Sequence, residues 1–436
     1  MNIFAMPWRT LTALFLLAAA ATISTGCMPV GEQAGETGRS EMLPDGPPST
    51  GFSARPIGSQ LHGTERPRVA QVHVTDLDKD GLADVIVCDA LRDTVSWIRQ
   101  APRGTFTETV LASVPAPAHV TPIDFDGDGD LDLVVASLGV LMPSNNRVGS
   151  VIVLENDGRQ RFTPHVLVDH VARVADAEPA DLDGDGDLDI AVAGFGYDDG
   201  ETSWLENKGG WKFEQHVLLR LSGPINAVVA DINNDHYPDI VALVSQEWEE
   251  IWGFINDGHG HFANRLIWGS TNPDFGSSWI SLADMDHDGD VDIVYANGDA
   301  FDYAPPNSRP WQGVQWLENQ GNLKFTLHRI AAYAGASSPQ AIDLDGDGDL
   351  DVVVGSANND WDDPMAPSLI WLENNGHMQF TKHAIATTPT HLGTLFAADV
   401  DGDGLPDIVA GGMHISRPYT RMGRVTLWTN RGKQAR

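Results

Sequence analysis

Seven near-copies of one nine-residue acidic segment are spread through this chain, each followed by a run of strand-forming residues. The copies begin at Asp76, Asp124, Asp181, Asp231, Asp284, Asp343 and Asp399, 48 to 59 residues apart. Self-similarity at such a period marks a propeller, solenoid or array rather than a set of unrelated globular domains. The fullest copy reads Asp343-Leu-Asp345-Gly-Asp347-Gly348-Asp-Leu-Asp351.

The shared pattern is D-x-D/N-x-D-G-x-x-D, with carboxylates at positions 1, 3, 5 and 9. Hard oxygen ligands in a tight loop suit calcium, which takes about six to eight oxygens in tolerant geometry, whereas magnesium keeps its waters and a strict octahedron. Glycine at position 6 permits the positive φ of a sharp turn. The best copies offer Asp124, Asp126, Asp128 and Asp132, or Asp181, Asp183, Asp185 and Asp189. Four carboxylates within nine residues repel one another unless a cation screens them. No Cys/His cluster has zinc spacing. The sequence argues against an EF-hand, which needs Glu at position 12 and flanking helices. Position 12 here is Val87, Val135, Val192, Ala242, Tyr295, Val354 and Ala410, inside β-rich runs. The weakest copy is Asp231-Ile-Asn233-Asn-Asp235-His236-Tyr-Pro-Asp239, with His236 in place of glycine and only three carboxylates.

The formal charge is −34, and 31 of the 61 acidic residues lie in the seven loops. Such a surface speaks against nucleic-acid binding, which needs a basic face. Open calcium loops imply an extracellular or periplasmic setting, where weak sites of about 10⁻⁴–10⁻³ M are filled. The N-terminus agrees. Arg9 precedes an apolar run from Leu11 to Ile23, too short to span a bilayer but suited to a signal-peptide core. Ser24-Thr25-Gly26-Cys27 resembles the lipobox of bacterial lipoproteins, which implies cleavage before a lipidated Cys27 and an envelope or surface location; Ser24 departs from the usual Leu. The expected organisation is a signal peptide over 1–26, lipidated Cys27 with a Gly/Pro/Ser-rich tether to residue 50, and one repeat domain over 51–432. The other cysteine, Cys88, reads as a small core hydrophobe.

Each unit repeats one grammar: a short strand, the acidic loop, an apolar strand, a variable connection, and a strand ending in W-L-E-N, as at Trp204–Asn207, Trp316–Asn319 and Trp371–Asn374. An Asn-x-Gly hairpin and a strand opening on Phe complete it. Four antiparallel strands in each of seven units predict an all-β, seven-bladed β-propeller, with the tryptophans packed between blades. The last unit lacks its fourth strand, and residues 51–58 match it, so the N-terminal strand is expected to close the ring.

The D-x-D-x-D-G-x-x-D loop inside such a unit resembles the FG-GAP/VCBS repeat family, the repeat of integrin α-subunit propellers and many bacterial surface proteins. The resemblance covers nearly all of residues 51–432. It implies calcium, up to seven ions, that rigidifies the propeller without catalysing anything. Carried over by position, further ligands are Asp76, Asp78, Asp80 and Asp84; Asp231, Asn233, Asp235 and Asp239; Asp284, Asp286, Asp288 and Asp292; Asp343, Asp345, Asp347 and Asp351; and Asp399, Asp401, Asp403 and Asp407.

In a propeller the irregular connections lie on the face opposite the acidic loops, and loops on a rigid scaffold are where binding resides. Candidate ligand residues there, or near the axis, are His119, Glu178, Asn226, Trp248, Tyr303, Trp311, Gln340, Trp361, His391, His414 and Arg417. Aromatics beside amides and carboxylates suit a glycan or a protein partner of a monomeric propeller, the lipid bilayer being engaged only through Cys27. Alternatives are a scaffold subunit of an envelope complex or a calcium-dependent polysaccharide lyase. No G-x-S-x-G, H-E-x-x-H or phosphate loop is present, which weighs against an enzyme. His165, His216, His328 and His383 recur three places after the blade Phe, on separate blades, and are expected to be structural.

Overall fold

The protein, here a computed structural model, is described over residues 51–301 and 308–432. Cys27, the signal segment, the tether and Tyr303 lie outside the described residues. Twenty-eight strands form seven four-stranded antiparallel sheets, and the described residues contain no helix. The expected seven-bladed propeller is therefore the fold.

Blade 3 shows the plan. Its strands are Arg173–Ala180, Asp189–Phe195, Glu201–Asn207 and Phe213–Leu219, paired in chain order. The second strand of each blade is buried on both faces, which explains why it reads as a continuous apolar run. Seventh-blade strands Leu392–Ala398, Asp407–Gly412 and Val425–Asn430 are completed by the N-terminal strand Phe52–Pro56, in register from Phe52 opposite Asn430 to Pro56 opposite Thr426. Closure leaves no sheet at either end of the chain without its outer strand.

The core lies between blades. Trp316 packs with Val294 of its own blade and Val352 and Ile370 of the next. Trp204 sits beside Phe254 of the following blade, and Trp371 beside Leu395 and Ile408. Trp204, Trp316, Trp371 and Trp428 are all buried, as expected of interblade spacers. Cys88 is buried and unpaired with any other cysteine. Each recurrent histidine meets the Glu of its W-L-E-N run, or of the V-L-E-N run in the case of His165: His165–Glu155, His216–Glu206, His328–Glu318 and His383–Glu373, at 2.5 to 2.7 Å. Three of them also lie on the Trp opposite, with centroids 4.7 to 4.9 Å apart.

Candidate functional site

The seven acidic loops join first and second strands, and their own hydrogen bonds shape them. In every copy the position-1 carboxylate accepts the N–H of position 6, from 2.7 Å at Asp231–His236 to 3.2 Å at Asp181–Gly186. The position-5 carboxylate accepts the N–H of position 7 at 2.9 to 3.0 Å throughout. Position 6 has positive φ in all copies, +84° to +97° at the glycines and +73° at His236. That conformation is free for glycine and strained for histidine.

Position 9 has a second role that the spacing alone does not reveal. Asp84, Asp132, Asp189, Asp239, Asp292, Asp351 and Asp407 are buried, and each clamps two strands. In Asp351, Oδ1 accepts the Asn374 N–H at 2.8 Å and Oδ2 accepts the Leu344 N–H at 3.1 Å. The other six copies repeat both bonds. Burial pushes the carboxyls up, to about 6 for Asp84, Asp189, Asp239, Asp292 and Asp407 and about 7 for Asp351. Neighbouring loop carboxylates add to the shift.

The residues fit a hard cation. Donor oxygens of positions 1, 3 and 9 lie within 4.8 Å of one another at Asp76/Asp78/Asp84, Asp124/Asp126/Asp132 and Asp181/Asp183/Asp189. Oδ1 of Asp78, Asp284 and Asp401 is buried without a hydrogen-bond donor, which is costly unless an ion meets it. The copies are not equivalent. In the first, Arg99 Nη2 lies 2.6 Å from Asp78 and 3.0 Å from Asp80, a side-chain cation competing for the same oxygens. In the fourth, the Asn233 amide turns to Asp235 at 2.9 Å.

His119, Glu178, Asn226 and Gln340 come together near the axis, lining a channel cavity of about 500 Å³. His119 Nδ1 lies 3.0 Å from Asp176 Oδ1, and its Nε2 lies 3.7 Å from Glu178 Oε1. Burial opposes charge on His119, but Asp176 and Glu178 outweigh it and hold its pKa at about 9. Burial also pushes Glu178 up to about 7. Asp176 is absent from the sequence-based candidates; its equivalence to His119, four residues before the last residue of the inner strand, was the available signal.

The remaining candidates separate on the irregular face. Trp248 is exposed, with Nε1 donating to Ser222 Oγ at 3.2 Å, and Trp311 donates to the Asp274 carbonyl at 2.8 Å. Arg417 is exposed. Trp361, His391 and His414 are instead buried together, with centroids 5.2 Å apart for Trp361–His391 and 5.0 Å for His391–His414. Burial depresses the histidines to about 4 and about 3. They form a neutral packed cluster away from solvent. Beside Trp248 in sequence, a cleft of about 310 Å³ gathers Tyr197, Asp198, Glu247, Glu249, Asp274 and Asp299. Among the described residues, its lining holds no Lys or Arg. Burial pushes Glu249 up to about 7, although its carboxylate accepts the N–H groups of Gly276 and Ser277 at 3.0 and 2.8 Å.

The family model described as FG-GAP-like repeat matches residues 76–135, 181–242, 307–354 and 343–410. Among solved structures, the chain is similar to BBS1N in its complex with ARL6DN, at 11% identity and a TM-score of 0.50, covering 85% of this chain and 94% of that one. The V. cholerae biofilm matrix protein Bap1 aligns at 13% identity and a TM-score of 0.45, covering 87% and 91%. At these identities the likeness concerns the fold. No curated protein matches the chain.

Proposed function

As this chain belongs to the FG-GAP-like repeat family, we propose that it is a calcium-stabilised propeller, anchored in a bacterial envelope through lipidated Cys27, that binds a glycan or protein partner. The observation that carries the metal half is a loop of one hydrogen-bond pattern in seven copies, whose donor oxygens converge at Asp76/Asp78/Asp84, Asp124/Asp126/Asp132 and Asp181/Asp183/Asp189, with buried carboxylate oxygens lacking donors in three copies. Calcium there would neutralise the loops and hold first and second strands together; it supplies rigidity, not chemistry. The N-terminal apolar run and Ser24–Cys27 support export and anchoring.

Recognition is assigned to the irregular face. The cleft with Tyr197, Glu247, Glu249 and Asp274 offers an exposed aromatic beside several acceptors. Such a lining favours neutral or amino sugars, or a basic protein segment, and repels acidic polysaccharides. The absence of Lys and Arg from that lining weighs against a lyase acting on acidic polysaccharide there. A glycan array probed with the protein in millimolar calcium, and again in chelator, tests this. Saturable calcium-dependent binding that falls in Tyr197→Ala supports it. Binding to no glycan, with a stable partner recovered from envelope extracts, shifts the reading to a protein-binding or scaffold role. Cys27→Ala is expected to release the protein from membranes, and an unchanged bound fraction contradicts the anchor.

A further inference from the structure

The channel at the propeller axis is built from two rings of side chains. Each innermost strand alternates, so two of its residues face the axis, four and two positions before the strand's last residue. The outer of these rings is Gln71, His119, Asp176, Asn226, Trp279, Ser338 and Thr394, and all line the cavity. In four blades this position stitches the ring: it accepts the backbone N–H of the next blade. Gln71 takes Val120, Asp176 takes Ala227 at 3.0 Å, Asn226 takes Ile280 at 3.3 Å, and Ser338 takes Leu395 at 3.1 Å.

His119 departs from that pattern. It makes no such bond to the backbone of blade 3; its buried Nδ1 instead faces Asp176 Oδ1 at 3.0 Å. The side chain is 9% exposed and faces the channel. One donor each from His119, Asp176 and Glu178 lies within 4.8 Å of the other two. Donors around a zinc ion at bonds of about 2.0–2.2 Å stand roughly 3.3 Å apart, so three donors within 4.8 Å of one another close onto one ion with small side-chain shifts.

We propose that His119, Asp176 and Glu178 form a binding site for a first-row divalent transition metal ion of the Zn²⁺ type, in the axial channel and separate from the calcium loops. The supporting shell is in place. Glu178 Oε2 is held by the Thr121 hydroxyl at 3.0 Å, and Asp176 Oδ2 by the Ala227 N–H and, at 3.4 Å, the Asn226 amide. The Ala177 N–H, at 2.9 Å, shares Asp176 Oδ1. Such outer partners orient ligands for the ion. Imidazole with two carboxylates suits zinc and its neighbours, whereas calcium takes oxygen ligands alone, so the channel and the loops select different ions. The adjoining cavity of about 500 Å³ leaves room for water to complete the coordination.

The test uses Co²⁺ as a spectroscopic probe on the whole protein, stripped with chelator and reloaded with millimolar calcium. The expected result is one equivalent of Co²⁺ with visible absorption, displaced by Zn²⁺ and not by calcium. His119→Ala should abolish it, and Glu178→Gln, which keeps side-chain volume, should weaken it about tenfold or more. The calcium-dependent rise in melting temperature should be unchanged in both. No calcium-resistant Co²⁺ site in the wild-type protein overturns the proposal. So does equal Co²⁺ affinity in Glu178→Gln, which decides the matter if His119→Ala fails to fold.

Discussion

Arg424 grips the Glu108 carboxylate with both terminal nitrogens, at 2.9 and 2.8 Å, across the junction where the last blade meets the first. Its Nε also reaches Asp89 at 2.8 Å, and Arg424, Glu108 and Asp89 are all nearly inaccessible to solvent. Glu108 further holds the Ser59 N–H just beyond the N-terminal strand. Three parts of the ring closure thus share one buried ion cluster. Removing one member of such a cluster strands charge in the interior, at a cost of about 3–5 kcal/mol. Arg424→Ala is expected to lose about that much in urea unfolding, and deletion of residues 51–58 to lower the melting temperature sharply. An effect below about 1 kcal/mol for Arg424→Ala would show that closure rests on the strand pairing alone.

Calcium binding should release protons at mildly acid pH. Asp351 is held at about 7 against its usual 3.8, and Asp84, Asp189, Asp239, Asp292 and Asp407 at about 6, so the metal-free fold keeps protons that the unfolded chain has lost. Native-state proton excess makes metal-free stability contributed by these groups fall as pH rises from roughly 4 to 7. The desolvated neutral histidines, half-buried His73 and buried His391 and His414, depressed to about 4, 4 and 3, act in the opposite sense below pH 6.5. A cation favours the ionised carboxylates. Titration in weak buffer should therefore show proton release on adding calcium at pH 6 and little at pH 8. Equal release at both contradicts the assignment.

The clamp and the cage can be separated by substitution. Asp351→Asn places an amide against two backbone donors at 2.8 and 3.1 Å, and should cost about 1–3 kcal/mol even in chelator. Asp345→Asn should leave chelator stability within about 0.5 kcal/mol of wild type and reduce only the calcium-dependent gain. Melting curves of both variants, with and without calcium, provide the comparison; the same profile for both would contradict distinct roles.

His236→Gly should improve the fourth loop. The residue holds φ at +73° where the other copies have glycine, and relief of that strain is worth about 0.5–1 kcal/mol. Calcium affinity measured by calorimetry should rise by one low-affinity site, and a variant less stable than wild type would contradict the account.

The repeat and the interblade tryptophans were legible because they recur from blade to blade, so that errors at one copy are corrected by the others; the blade count follows from the repeat, and the closure strand from the one unit that lacks its fourth strand. The double role of Asp351 and its equivalents was not, because a carboxylate at position 9 satisfies the metal pattern whether or not it also caps strands. The interblade bonds of Gln100 to the Val400 carbonyl and of Asn319 to that of Ile232, both 3.0 Å, depend on which blades become neighbours in space. The irregular face was least legible. Trp361, His391 and His414 look like surface groups in a polar loop, yet their loops fold over one another and bury them. Asp176 was hidden in an inner strand whose pairing fixes its direction toward His119.

The central claim is that calcium holds this propeller rigid, and thermal unfolding at pH 7.5 in 5-mM-scale calcium against excess chelator tests it most directly. Ligand binding to the native state raises the melting temperature by mass action, with about 1–2 kcal/mol expected per site when calcium stands about five- to fiftyfold above Kd. The account predicts a rise of many degrees that Asp126→Asn and Asp183→Asn each diminish. Identical curves with and without calcium would contradict it, leaving the acidic loops as plain turns.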